Sequence, residues 1–203
     1  KYGNTLFMLT IMNQQLKPFK ALLKRGADVN IHNTFDGTSS LIKACSSKFY
    51  NITFVKMLIE YGADVNDVEI GERRKENGTR LTPLIAASRT GRLDLVRFLV
   101  SKGADVNYQN EFGQSALSKS VMVDEYKVAY YLLQNGADYN RPIYYRFDNS
   151  VPIEKKDPKD KGKPMYLWDV LKEDLSEFGT SEYKYKMLII DFLKSKGLSI
   201  TLN

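Results

Sequence analysis

The string Gly-Ala-Asp-Val-Asn occurs at positions 26–30, 62–66 and 103–107, and Gly-Ala-Asp-Tyr-Asn follows at 136–140. The copies lie 36, 41 and 33 residues apart. Recurrence at such a period means one supersecondary unit copied along the chain. A unit too small to bury its apolar side alone must stack on its neighbours. Each copy is preceded by an apolar segment with helical spacing, at 19–25, 54–61, 96–102 and 128–135. Glycine just past such a segment suits the left-handed conformation that stops a helix. Lys24, Arg25 and Lys102 also lie where the negative end of the helix dipole favours cations.

About 21 residues before each of these glycines stands a second, shorter helix signal, clearest in Leu81-Thr82-Pro83-Leu84-Ile85-Ala86-Ala87. Threonine caps the helix, and proline at its first position removes no N–H that the helix needed. Weaker copies run over 5–10, 39–44 and 115–120. The unit therefore reads as turn, short helix, tight turn, longer helix, glycine stop. This pattern resembles the ankyrin repeat, whose period and Thr-Pro-Leu signature it shares across residues 2–140. Only the third unit keeps Thr-Pro-Leu, and Met8, Ile42, Ile85 and Ser118 stand where the family usually has histidine. The threonine–histidine hydrogen bond of the family is expected to be absent, at some cost in stability.

The resemblance implies an all-α solenoid of stacked helix-turn-helix units with finger loops, forming a single domain over 1–203. The repeats are expected at about 2–33, 34–66, 67–107 and 108–140, with a divergent C-terminal capping unit over 141–203 that begins with a long loop, 141–163. The second unit carries an insertion of about two residues near 46–50, and the third has an enlarged finger at 67–80. Three prolines, Pro142, Pro152 and Pro158, argue against regular structure in the long loop. A closing helix pair is expected at 165–175, opened by Pro164, and at 183–196, stopped by Gly197. In the second of these helices Met187, Ile190 and Leu193 make one apolar stripe. The first helix of the chain, with Leu6, Phe7, Met8, Leu9, Ile11 and Met12, is apolar nearly all round, so a further repeat or a partner is expected to cover it.

Composition narrows the chemistry. Of 203 residues, 43% are hydrophobic and 27% charged, the balance of a globular protein, and no apolar run is long enough to span a bilayer. One cysteine and one histidine exclude a disulfide framework and a histidine-built metal cluster, so no metal or cofactor is expected. Phosphate-binding glycine loops, nucleophile elbows and calcium-loop patterns are absent from the sequence. Cys45 falls where the repeat places a small buried residue and reads as a structural thiol, and His32 as a loop residue without chemistry. Asp28, Asp64, Asp105 and Asp138 recur with the repeat and read as turn-capping side chains. The expected protein is not an enzyme. Its net charge of +6 invites a nucleic-acid reading, and the segment 141–163 mixes aromatic and basic residues. Five lysines there are offset by three acids within 154–163, so nucleic acid is not the expected partner. The chain begins at Lys1; the cytoplasm is the expected compartment, with a removed signal peptide as an open alternative.

The resemblance implies a monomer that binds another protein on the concave face made by finger tips and first helices. Carried over by place in the unit, the contacting residues are Asn4, Met12 and Asn13 in the first repeat and Phe35, Asp36, Thr38, Ser46 and Ser47 in the second. The third supplies Leu81, Arg89 and Thr90, and the fourth Glu111, Phe112, Gln114, Met122 and Val123. Two fingertip phenylalanines with Met12, Met122 and Val123 would form an apolar stripe, of the composition that interface cores favour. The alternative is that Phe35 and Phe112 fold beneath their own fingers. Two other functions stand beside this one: a regulatory or immunity subunit that inhibits a co-encoded enzyme, and acidic-polymer binding through the loop 141–163.

Overall fold

A short helix followed by a longer one recurs through a computed structural model that describes residues 3–47, 49, 51–70, 80–147 and 162–201. The pairs are α1 (Leu6–Met12) with α2 (Leu16–Lys24), α3 (Ser40–Cys45) with α4 (Ile52–Glu60), α5 (Pro83–Arg89) with α6 (Leu93–Ser101), and α7 (Ala116–Val121) with α8 (Tyr126–Gln134). Each first helix starts at a hydroxyl side chain that accepts the N–H three residues on. Met8 donates to Thr5 Oγ1 at 3.2 Å, Ile42 to Ser39 Oγ at 3.3 Å, Ile85 to Thr82 Oγ1 at 3.2 Å and Ser118 to Ser115 Oγ at 3.1 Å. The positions where the family has histidine are thus filled in two ways. Met8, Ile42 and Ile85 are buried apolar groups, and Ser118 Oγ receives the Ser115 N–H at 2.8 Å to close a reciprocal capping box.

The longer helices end on the repeated glycines. At Gly62 and Gly103 φ is 91° and 88°, which lets Ala63 and Ala104 donate back to Leu58 and Leu99 and tie off the last turn. The aspartates behave as expected of turn caps, with Asp64 Oδ1 accepting from the Asn66 N–H at 2.9 Å. The asparagines do something that the local pattern does not announce, because they reach across to the next unit. Asn30 donates its amide to the Gly62 carbonyl and accepts the Asp64 N–H; Asn66 does the same with Gly103 and Asp105, and Asn107 with Gly136 and Asp138, at distances between 2.7 and 3.1 Å. The ladder holds neighbouring turns in register. Replacing Asn66 by Ala removes two such bonds and is expected to cost about 1–2 kcal/mol in urea unfolding, with helix content unchanged before the transition.

Packing follows from side-chain size. The first helices stack α1 on α3, α3 on α5 and α5 on α7, a close approach allowed by Ala44, Ala86, Ala87 and Ser120, all fully buried. Between the two layers of helices run Phe19, Phe54, Leu58, Leu95, Leu99 and Leu132, none more than slightly exposed. At the N-terminal end Phe7, Met8, Thr10 and Ile11 of α1 are buried, while Leu6, Leu9 and Met12 face out, with Leu6 67% exposed.

The chain after Asn140 departs from the repeat. Strands β1 (Tyr144–Arg146) and β2 (Lys163–Met165) pair antiparallel, followed by α9 (Leu167–Glu173) and α10 (Ser181–Ser195). A helix opened by Pro164 is therefore corrected. Pro164 lies within β2 opposite Tyr145, Met165 accepts the Ile143 N–H at 2.7 Å, and the helix begins at Leu167. Proline suits a short edge strand because it has no N–H to leave unpaired. The apolar stripe of α10 is also shifted: Ile189, Ile190 and Leu193 are buried together with Lys186, while Met187 is half-buried. Helix α10 packs on α8 as a second helix should, and α9 lies against α10. No helix among the described residues is long and apolar enough to cross a membrane.

Candidate functional site

The finger loops and the outward faces of α1, α3, α5 and α7 gather most of the residues expected to meet a partner. The fingers are built by asparagine. Asn33 Oδ1 accepts the N–H groups of Phe35 and Asp36 at 2.7 and 3.1 Å, and Asn110 Oδ1 accepts those of Phe112 and Gln114 at 3.0 and 2.9 Å. These turns hold both phenylalanine rings out. Phe35 is 47% and Phe112 41% exposed, so neither is folded beneath its finger. Met12, Met122 and Val123 are exposed as well, at the ends of α1 and α7. Asn13, Arg89 and Glu111 are exposed, whereas Asn4, Asp36, Ser46, Ser47, Thr90 and Gln114 are half-buried.

Many of the polar members already have partners within the chain. Asn4 Oδ1 accepts from the Asn33 amide at 2.6 Å, Ser46 donates to the Ile42 carbonyl at 2.7 Å, and Thr90 donates to that of Ala87 at 2.8 Å. Asp36 pairs with Lys43 at 3.5 Å and Glu111 with Arg80 at 3.3 Å, linking the third finger to the fourth. Ser47 Oγ accepts the Phe49 N–H, and the Asn110 amide reaches Gln114 Oε1.

Two expected contact residues need correcting. Thr38 and Leu81 are each only 4% exposed and offer almost no surface. The cause is Glu69, a buried acid at the base of the enlarged finger. Its carboxylate accepts the Thr38 hydroxyl and the Leu81 N–H, each at 3.1 Å, and its own N–H donates to the Leu81 carbonyl. This acid draws both residues inward, and Leu81 joins the core directly before the Thr82 cap. The rest of that finger, 71–79, lies outside the described residues, as does 148–161, where most of the charged stretch proposed for acidic polymers falls.

The sequence did not point to a hollow of about 660 Å³ beside the fourth finger. One wall is Phe112, Gln114 and Met122; the other is Ile143, Tyr144, Tyr145 and Phe147, brought there by β1. Only the aromatic run Tyr144-Tyr145-Arg146-Phe147 signalled it, and its place depends on pairing with a strand far along the chain.

Groups with reactive chemistry are occupied structurally. Burial pushes the Cys45 thiol far above its ordinary range, so no thiolate is available at neutral pH. His32 Nε2 lies 3.0 Å from Asp67 Oδ1, joining the loop after the first glycine motif to the start of the third finger. Among the described residues no three His, Cys, Asp and Glu side chains gather as a metal site.

Comparison with known proteins agrees with this geometry. A family model described as ankyrin repeats in three copies matches residues 1–69 and 68–143. An ankyrin repeat protein of Acanthamoeba polyphaga mimivirus is 30% identical over 111 residues, covering 55% of this chain and 66% of that protein. An ankyrin repeat protein of fowlpox virus is 37% identical over 108 residues, 52% of this chain and 29% of its own length. Neurogenic locus notch homolog protein 1 of Mus musculus is 31% identical over 136 residues, 67% of this chain and 5% of that protein. The chain thus spans less than two thirds of the length of each of these relatives.

Proposed function

The chain belongs to the ankyrin repeat family, and from that membership we propose that it holds another protein, without catalysis, on the face made by its fingers and first helices. Ankyrin repeats are generic protein–protein interaction modules. In a stack, the outward side of a first helix has no neighbouring unit to satisfy, so its residues are available for recognition. The observation that carries the reading is the pair Phe35 and Phe112. Both rings stand half in water at matching places in their units, held there by an asparagine turn. Exposed aromatic and methionine side chains cost solvation and are enriched in interface cores, which gives this arrangement a use.

The contact set on this reading is Asn4, Met12, Asn13, Phe35, Asp36, Ser46, Ser47, Arg89, Thr90, Glu111, Phe112, Gln114, Met122 and Val123. Few of these should dominate, because truncating most interface residues changes affinity little. The test is quantitative affinity capture from the native cell with the parent chain and with Phe35→Ala/Phe112→Ala. Recovery of the specific partner is expected to fall by about thirtyfold or more, as hot-spot aromatics do on truncation. Unchanged recovery by a folded variant would exclude this face as the binding surface.

A further inference from the structure

The acids and bases on this face do not cancel locally. Asp36 is paired with Lys43, and Glu111 with Arg80. At the centre, Arg89 in the last turn of α5 and Lys119 in the last turn of α7 lie on first helices that pack directly on each other, and among the described residues neither has an ion-pair partner. Glu125, in the turn between α7 and α8, lies over Gly91 instead. The Lys119 ammonium is held below the usual lysine range, first by burial and then by the Arg89 charge. Two neighbouring cations with no counter-ion among the described residues are an unmet electrostatic demand.

One helical turn beyond Lys119 comes Met122, which opens onto the hollow lined by Phe112, Tyr144, Tyr145 and Phe147. We infer that this stretch takes an extended segment of the partner protein bearing carboxylates over Arg89 and Lys119 and a large apolar side chain in the hollow. This rests on the reading that the face binds a protein, and adds the chemistry of what is bound. At about 660 Å³ the hollow has room for a large apolar side chain together with its neighbours, and Glu111 and Arg141 line it beside the aromatic wall. Nucleic-acid bases could stack on that wall, but two cations are too few to track a phosphate backbone, so an acidic peptide fits the surface better than a nucleic acid. Charge of this kind selects among partners and speeds encounter more than it adds raw affinity.

The test uses short fluorescent peptides that share the same Phe and Leu residues and differ only in carrying Glu, Gln or Lys. By anisotropy at low salt, the Glu peptide should bind the parent chain about tenfold tighter than the Gln peptide, a margin that shrinks as salt rises. Arg89→Gln/Lys119→Gln should abolish the preference, and Arg89→Glu/Lys119→Glu should turn it toward the Lys peptide, with circular dichroism unchanged. Met122→Ala should weaken the Glu and Gln peptides alike. Equal binding of Glu and Gln peptides that Phe112→Ala still weakens would overturn the acidic preference and leave the protein-binding face standing. Binding that no substitution on this face alters would overturn both. Failure of all three peptides to bind, or an oligonucleotide of random sequence binding as tightly as the Glu peptide, would overturn the inference.

Discussion

Phe19→Ala is expected to destabilise the protein by about 3–5 kcal/mol and to melt the first unit while the later ones stay folded. Phe19 is fully buried in α2 and joins two units through its ring. It stacks on Phe7 of α1 with centroids 4.9 Å apart and meets Phe54 of α4 edge-on at 4.8 Å. Truncation therefore removes the transfer free energy of one large side chain and two aromatic contacts, and leaves a cavity that helices on both sides are too rigid to fill.

Where the damage shows depends on the architecture. In a stack each unit is stabilised mainly by its neighbours, so a weakened interface near an end frays outward from that point. Hydrogen exchange should show α1 and α2 losing protection by several orders of magnitude while α5 to α8 keep most of theirs. Uniform loss across all helices would mean that the chain unfolds as a single cooperative block, and the picture of separable stacked units would fail.

The same logic explains what could be read from the amino acids alone. Glycine stops and hydroxyl caps are local devices, so the repeated pentapeptide and the Thr82-Pro83-Leu84 start are sufficient to place helices in the first four units. Phe35 and Phe112 were also legible, because their place in the unit decides where they point. What escaped depends on contacts distant in sequence. Asn30, Asn66 and Asn107 look like ordinary turn residues until the neighbouring turn is present to accept their amides. Glu69 looks like one more charge in a charged finger, yet it is buried and draws Thr38 and Leu81 inside. The aromatic hollow arises only when Tyr144 finds Met165 across 141–163, where the prolines argued for irregular chain. Arg89 was expected on the face by its position, but its nearness to the like charge of Lys119 depends on α5 packing against α7 of the next unit.

Lys186→Met is expected to cost about 3–5 kcal/mol at neutral pH, nearly all of it in the C-terminal unit. Lys186 is only 6% exposed on α10, and its ammonium donates to the Asp174 carbonyl at 2.6 Å and lies 3.1 Å from Asp174 Oδ2. Ser176 donates to the same carboxylate through its hydroxyl and its N–H. The buried Tyr126 hydroxyl of α8 is held deep in its neutral form by burial first and then by Asp174 and Asp124. Burial alone would raise the Asp174 carboxyl, but the Ser176 and Lys186 hydrogen bonds and the Lys186 charge outweigh it and hold the group below its ordinary range. The folded carboxyl therefore binds its proton more weakly than the unfolded one. Its contribution is fully present above the unfolded value of about 3.9 and is lost as pH falls through the lower folded value. The methionine variant keeps the chain's volume but leaves a half-buried carboxylate without a cation, so its deficit against the parent should be largest near neutrality and shrink in acid. Trp168, the single tryptophan, stacks on Tyr166 at the start of α9 and reports unfolding of this unit by fluorescence. Adding Asp174→Asn to Lys186→Met removes the stranded charge and should restore a large part of the loss. A deficit that stays constant from neutral to acid pH, or a double variant no better than the single one, would show that Lys186 acts by packing rather than by its charge.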